Sequence, residues 1–180
     1  ENMKNEIKTY ENNIGFLTSS SKKGNNLVSE MNRKIEKLKA AGITDIVVNV
    51  HHFPDQIIDY LRENNYFGCH IQVSDERNML LETGGGLRKA QKLLSSSPTS
   101  LPLQGESEGA PILICNVDIL SNIDIPTLLK AYRKDEMGIV AVSKRNTQRY
   151  LLFDEDNRLR GWTNIATGEI KGDEAIRREA

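Results

Sequence analysis

Cysteine is scarce in this chain. Cys69 and Cys115 are the two among 180 residues. They are far apart and lack metal-ligand spacing, so they read as two reduced, buried thiols. Histidine is nearly as rare, with three residues. His51 and His52 are adjacent, but no further His or Cys stands at ligand spacing, so the pair reads as structural or as substrate contacts and not as a metal centre. There is little excess of either charge: the net charge of −1 gives no electrostatic case for binding a nucleic-acid backbone. No apolar run approaches the roughly 20 residues of a membrane span, and the N-terminal residues show no signal-peptide core. The expected compartment is the cytoplasm, with no membrane partner. Three chemical signatures are also missing: G-x-G-x-x-G, G-x-x-x-x-G-K-[ST] and G-x-S-x-G. Their absence argues against a standard dinucleotide site, a P-loop and a serine-hydrolase elbow.

What is present is an alternation of amphipathic helices and short apolar strands. Residues 1–29 are polar and read as a poorly ordered segment, with at most a loose helix around Met3–Tyr10. From Glu30 the spacing of Met31, Ile35 and Leu38 predicts a helix, with Gly42 placed to cap it. The run 46–50 has no polar alternation, the pattern of a strand covered on both faces. Pro54 opens a second helix whose stripe is Ile57, Ile58 and Leu61. A strand is expected over 70–73, then a glycine turn, then a helix carrying Leu87, Ala90 and Leu94. Residues 95–110 read as a surface loop, 111–117 as a buried strand, and Asp124–Pro126 as the start of a helix faced by Leu128, Leu129 and Tyr132. A further buried strand is expected over 138–142, and a β-hairpin over 151–162. This order predicts an α/β fold, a doubly wound and mainly parallel sheet, with a small hairpin.

Right-handed crossovers collect strand C-terminal ends on one edge, where ligands bind. That edge would carry Asn49, His51, His52, Ser74, Asp75, Glu76, Asn116 and Asp118. Asp75 and Glu76 read as a solvated pair. Thr83-Gly84-Gly85-Gly86 removes side chains where backbone could lie against a flat or charged ligand, and the following helix offers free N–H groups. An ordinary tight turn satisfies the same residues. Asp118, two residues beyond an apolar strand, suits a hard divalent cation or, equally, a turn acid. Trp162 is either a core residue or a stacking wall.

Taken together, VVNVHHFPDQIIDYL, SDERNMLLETGGGLRKA, PILICNVDIL and LLFDEDNRLRGWTNIATGE closely resemble the sugar-1-phosphate nucleotidyltransferases, over roughly Glu30 to Gly172. The resemblance implies a Rossmann-like nucleotidyltransferase fold. It also implies attack by a sugar 1-phosphate on the α-phosphorus of a nucleoside triphosphate, releasing pyrophosphate. Glu82, Thr83, Gly84, Gly85, Gly86 and Asn116 would then bind the nucleotide. Asp118 would bind Mg²⁺ and serve as the catalytic carboxylate. Trp162, Asn164 and Thr167, with Gly161 and Gly168, would lie on the sugar side. One departure bears on activity: the family's early G-x-G-T-R loop and its P-K pair are not found in residues 1–30, where Lys22-Lys23-Gly24 is only a superficial stand-in. The expectation is a partial domain over 30–180, truncated at both ends, of weak stability and impaired turnover. A non-catalytic nucleotide or nucleotide-sugar binding module on the same fold is the alternative.

Overall fold

The computed structural model describes residues 14–18, 24–96, 111–133, 135–173 and 177–179. The chain divides into two compact units, residues 1–130 and 131–180.

The first unit is built on a four-stranded parallel sheet in the order β3-β2-β1-β4. Its strands are β1 (Ile14–Thr18), β2 (Asp45–Val50), β3 (His70–Asp75) and β4 (Ile112–Asn116). Helices α1 (Gly24–Ala40), α2 (Pro54–Glu63) and α3 (Glu82–Ser96) connect them in turn, and α4 (Ile125–Ala131) follows β4. The strand residues sort by parity. Leu17, Ile46, Val48 and Val50 face one way, onto Leu27, Met31, Ile35 and Leu38 of α1 and Ile57 and Leu61 of α2. Phe16 and Val47 face the other way, onto Ala90 and Leu94 of α3. Successive strand side chains alternate faces, so a strand buried at every position needs cover on both sides. β2, buried along its whole length, meets that demand. The sheet is α/β and doubly wound, as the alternation of elements predicts.

The structure differs from the sequence reading at three places along the chain. Residues 14–18, placed there in a poorly ordered segment, form the inner strand β1, paired with both β2 and β4. Helix α1 likewise begins at Gly24, ahead of the expected Glu30. Gly, Asn and Asn are weak helix formers, but Leu27, buried against the core, makes the early turn worthwhile. Residues 1–13 and 19–23, including Lys22, Lys23 and the loose helix expected at Met3–Tyr10, lie outside the described residues, as does most of the 95–110 loop.

Second, β4 is an edge strand and is only partly covered, with Ile114 43% exposed. Third, residues 138–142 form no strand, and Val140 is 53% exposed. An apolar run becomes a strand only through a ladder partner, and these residues have none among the described pairings.

The cap at Gly42 is as read. Its φ is 82°, and the Ile43 N–H donates to Leu38 O at 3.0 Å. Pro54 does open α2, but the preceding Phe53 is held left-handed at φ 54° and ψ 46°. A second left-handed stretch, Asn65 to Gly68, returns the chain to β3, with Lys39 Nζ donating to Phe67 O at 2.7 Å.

The second unit is an antiparallel sheet in the order β7-β6-β5-β8. It comprises β5 (Arg149–Phe153), β6 (Leu159–Asn164), β7 (Glu169–Gly172) and β8 (Arg177–Glu179). The expected hairpin is β5–β6, turned by Asp154. The carboxylate of Asp154 accepts from the Asp156 and Arg158 N–H groups at 3.0 and 2.8 Å and from Arg160 Nε at 2.7 Å.

Candidate functional site

The parallel register aligns the last residue of β1 with polar residues on either side. Thr18 pairs with Asn49 and with Asn116, and Asn49 pairs with Ser74. A polar row, Ser74–Asn49–Thr18–Asn116, therefore crosses the sheet at its C-terminal edge. Thr18, Asn49 and Ser74 are buried. At ordinary strand spacing the two asparagines, one strand apart, are separated by about 10 Å.

The glycine run lies above the β2–β3 end of this row. It is the first turn of α3 itself, since the helix starts at Glu82. The first four N–H groups of a helix have no partner within it. Here they belong to Leu81, Glu82, Thr83 and Gly84, where the dipole is positive, and the Leu81 N–H is taken by Glu76 Oε2. The glycines meet different surroundings. Gly84 faces open space. A Cβ on Gly86 would lie 2.5 Å from Asn49 Nδ2 and 2.8 Å from Glu76 Oε1. Gly86 is thus needed because two buried polar side chains approach its backbone.

Glu76 corrects the sequence reading most sharply. Expected to be solvated, it is 1% exposed. Its backbone N–H donates to Val50 O at 2.7 Å and extends the β2–β3 pairing beyond Asp75. Its carbonyl accepts from His51 Nδ1 at 2.7 Å, which places the proton on that ring nitrogen. Oε2 accepts from the Leu81 N–H at 3.2 Å. Nothing in the sequence distinguishes Glu76 from Asp75, because burial depends on which of two neighbours turns inward. Asp75 behaves more as expected. It pairs with Arg77 at 2.7 Å, and Arg77 also reaches Asp55 at 3.0 Å. The Arg77 guanidinium holds the Asp75 carboxyl below its usual range. His51 and His52 are partly buried with rings 4.5 Å apart, and His52 Nε2 has no hydrogen-bond partner among the described residues.

On the far side of the row, Asn116 ends β4, Val117 is buried with its N–H donating to Thr18 O at 2.8 Å, and Asp118 is exposed. Exposed apolar residues occupy the loops along the same edge: Phe53 after β2, Met79 and Leu80 after β3, Ile119 and Leu120 after β4. The structure thus brings Glu82–Gly86, Asn116 and Asp118 to one rim of the first unit. No group of three or more His, Cys, Asp or Glu able to hold a metal is found among the described residues.

The remaining expected residues lie together in the second unit, on the β6–β7 hairpin. Trp162 is partly buried with Lys171 Nζ 5.6 Å from its ring centre. Asn164 and Thr167 shape the turn: Asn164 Oδ1 accepts from the Ala166 N–H at 3.1 Å, and Thr167 Oγ1 from the Glu169 N–H at 3.3 Å. Gly161 and Gly172 pair across the hairpin, where a Cβ on either would strike the opposing backbone.

The first unit has the α/β fold read from the sequence, and the relatives of this chain are sugar-1-phosphate nucleotidyltransferases. It is similar to N-acetylmuramate alpha-1-phosphate uridylyltransferase of Caulobacter vibrioides, 42% identical over 66 residues, 36% of this chain and 27% of the relative. The enzyme of the same name from Neisseria meningitidis serogroup B is 39% identical over 88 residues, 49% of this chain and 32% of the relative. Mannose-1-phosphate guanyltransferase of Gibberella zeae is 29% identical over 113 residues, 62% of this chain and 28% of the relative. The chain therefore spans about a quarter to a third of the curated relatives it matches. No family model matches it.

Proposed function

We propose that this chain carries the nucleotide-binding part of a site that transfers a nucleotidyl group from a nucleoside triphosphate to a sugar 1-phosphate, giving a nucleotide sugar and pyrophosphate. The observation that carries this reading is the polar row with the bare first turn of α3 at one end and Asp118 beyond the other. The free N–H groups of that turn would face the nucleoside, where Gly84 leaves the approach open. Exposed Phe53, Met79 and Leu80 would offer apolar cover to a base. Asn116 and Asp118 would stand toward the phosphates.

Asp118 fits a magnesium ion that arrives with the triphosphate, since Mg²⁺ takes one or two carboxylates and fills its shell with water and phosphate oxygens. Bound there, the ion would offset the charge that builds on the phosphate oxygens. The chain's own residues would bind and orient the substrates. No covalent enzyme intermediate is called for. The β6–β7 hairpin, with Trp162, Asn164 and Thr167, is the proposed sugar-side element.

The test is pyrophosphate release with Mg²⁺, each of the four common triphosphates and a set of sugar 1-phosphates, read beside direct nucleotide binding. Asp118→Ala should abolish the Mg²⁺-dependent part of the affinity and any turnover. Nucleotide affinity that is indifferent to both Mg²⁺ and Asp118→Ala, without turnover, would favour the non-catalytic binding module.

A further inference from the structure

We infer that Glu76 and Asn49 form a buried clamp that positions the glycine-rich start of α3 from beneath, making Glu76 a positioning residue of the nucleotide seat. This rests on the proposed reading of that seat.

A carboxylate with 1% exposure is costly to bury and is retained where its contacts return something. Those of Glu76 run to three places at once. The backbone N–H joins Val50 at the end of β2. The carbonyl takes the His51 ring and the Met79 N–H, at 2.7 and 3.0 Å. The side chain reaches forward to the Leu81 N–H, the residue immediately before α3. The β3–α3 connection is thus tied down at its middle and at its end by one residue. The side chains of Met79, at the first tie, and Leu80, between the two, are exposed.

The second carboxylate oxygen points at Gly86, beside the Asn49 amide, which is itself 5% exposed. Glu76 Oε1 and Asn49 Oδ1 have no hydrogen-bond partner among the described residues. Two acceptors kept in a buried layer against a residue that has no side chain point to a fitted support. The absent Cβ of Gly86 makes room for the head of the clamp, and the absent Cβ of Gly84 opens the opposite approach. The position of the N–H groups offered to a ligand is then set from underneath, by a residue that need not touch the ligand.

The experiment compares Glu76→Ala, Glu76→Gln and Gly86→Ala with the wild-type protein. It uses hydrogen–deuterium exchange of peptides covering 78–86 and of those covering β1 and β2, and the affinity for UTP and for GTP with Mg²⁺. Glu76→Ala removes the acceptor for the Leu81 N–H. It should raise exchange over 78–86 about tenfold and weaken nucleotide binding by a similar factor, with β1 and β2 still protected. Glu76→Gln keeps one acceptor and should restore both to within about threefold of wild type. Gly86→Ala should reproduce the Ala exchange pattern and serves as the second arm if Glu76→Ala does not fold. Unchanged exchange over 78–86 in Glu76→Ala overturns the clamp. So does equal loosening of β1 and β2, which marks a general core role, and so does a Gln variant as impaired as Ala. Should wild type bind neither UTP nor GTP, the nucleotide reading of the seat falls, while the exchange arm still decides whether Glu76 holds the turn.

Discussion

Gly84 and Gly86 read alike in sequence but face opposite surroundings. Alanine at 84 meets open space and improves helix propensity, so it should leave stability unchanged or raise it by at most about 1 kcal/mol. If the open face receives a nucleotide, the same change weakens binding. Alanine at 86 drives a methyl into Asn49 and Glu76, an overpacking that typically costs about 1–3 kcal/mol. Urea denaturation of the two variants separates them, and equal effects would contradict the asymmetry. The same inward turn explains why Glu76 escaped the sequence reading and Asp75 did not. Both cysteines are free thiols, partly buried rather than sealed in, and burial pushes their pKa up.

At the scale of elements, β1 was the largest omission. Its sequence, IGFLT, lies in a polar context and has no internal period. It is a strand because β2 and β4 supply ladders on both sides. The converse holds for 138–142, apolar enough for a strand but without a described partner. The β5–β6 hairpin is legible for a local reason: its turn is made by Asp154 and the residues next to it. Backbone hydrogen bonding from Arg158, with a further contribution from Arg160, holds the Asp154 carboxyl below its usual range. The folded hairpin therefore prefers the ionised form. Its contribution is complete above the unfolded-state pKa, about 3.9, and is lost as pH falls through the lower folded value. Amide exchange at Asp156 and Arg158 should accelerate on acidification below about pH 4, and Asp154→Asn should flatten that dependence. An unaltered pH profile in the variant would remove Asp154 from the account.

At the scale of the whole chain there are two compact units with the irregular, exposed stretch 135–148 at the start of the second. Trypsin should make its first internal cut there, at Lys144 or Arg145, both exposed. A first internal cut within α1, despite its lysines, would contradict that order. No helix among the described residues is long and apolar enough to cross a membrane. The sequence by itself determined the elements whose causes are local: the α1 face and its Gly42 cap, the two-faced β2, the Pro54 start, the Asp154 turn, and the likeness to nucleotidyltransferases. Only the tertiary structure decided the inner place of β1, the polar row that its register creates, and the burial of Glu76 beneath Gly86. Those depend on which strand lies beside which and on which neighbour turns inward, and contacts between residues distant in the chain leave no period for a sequence to display.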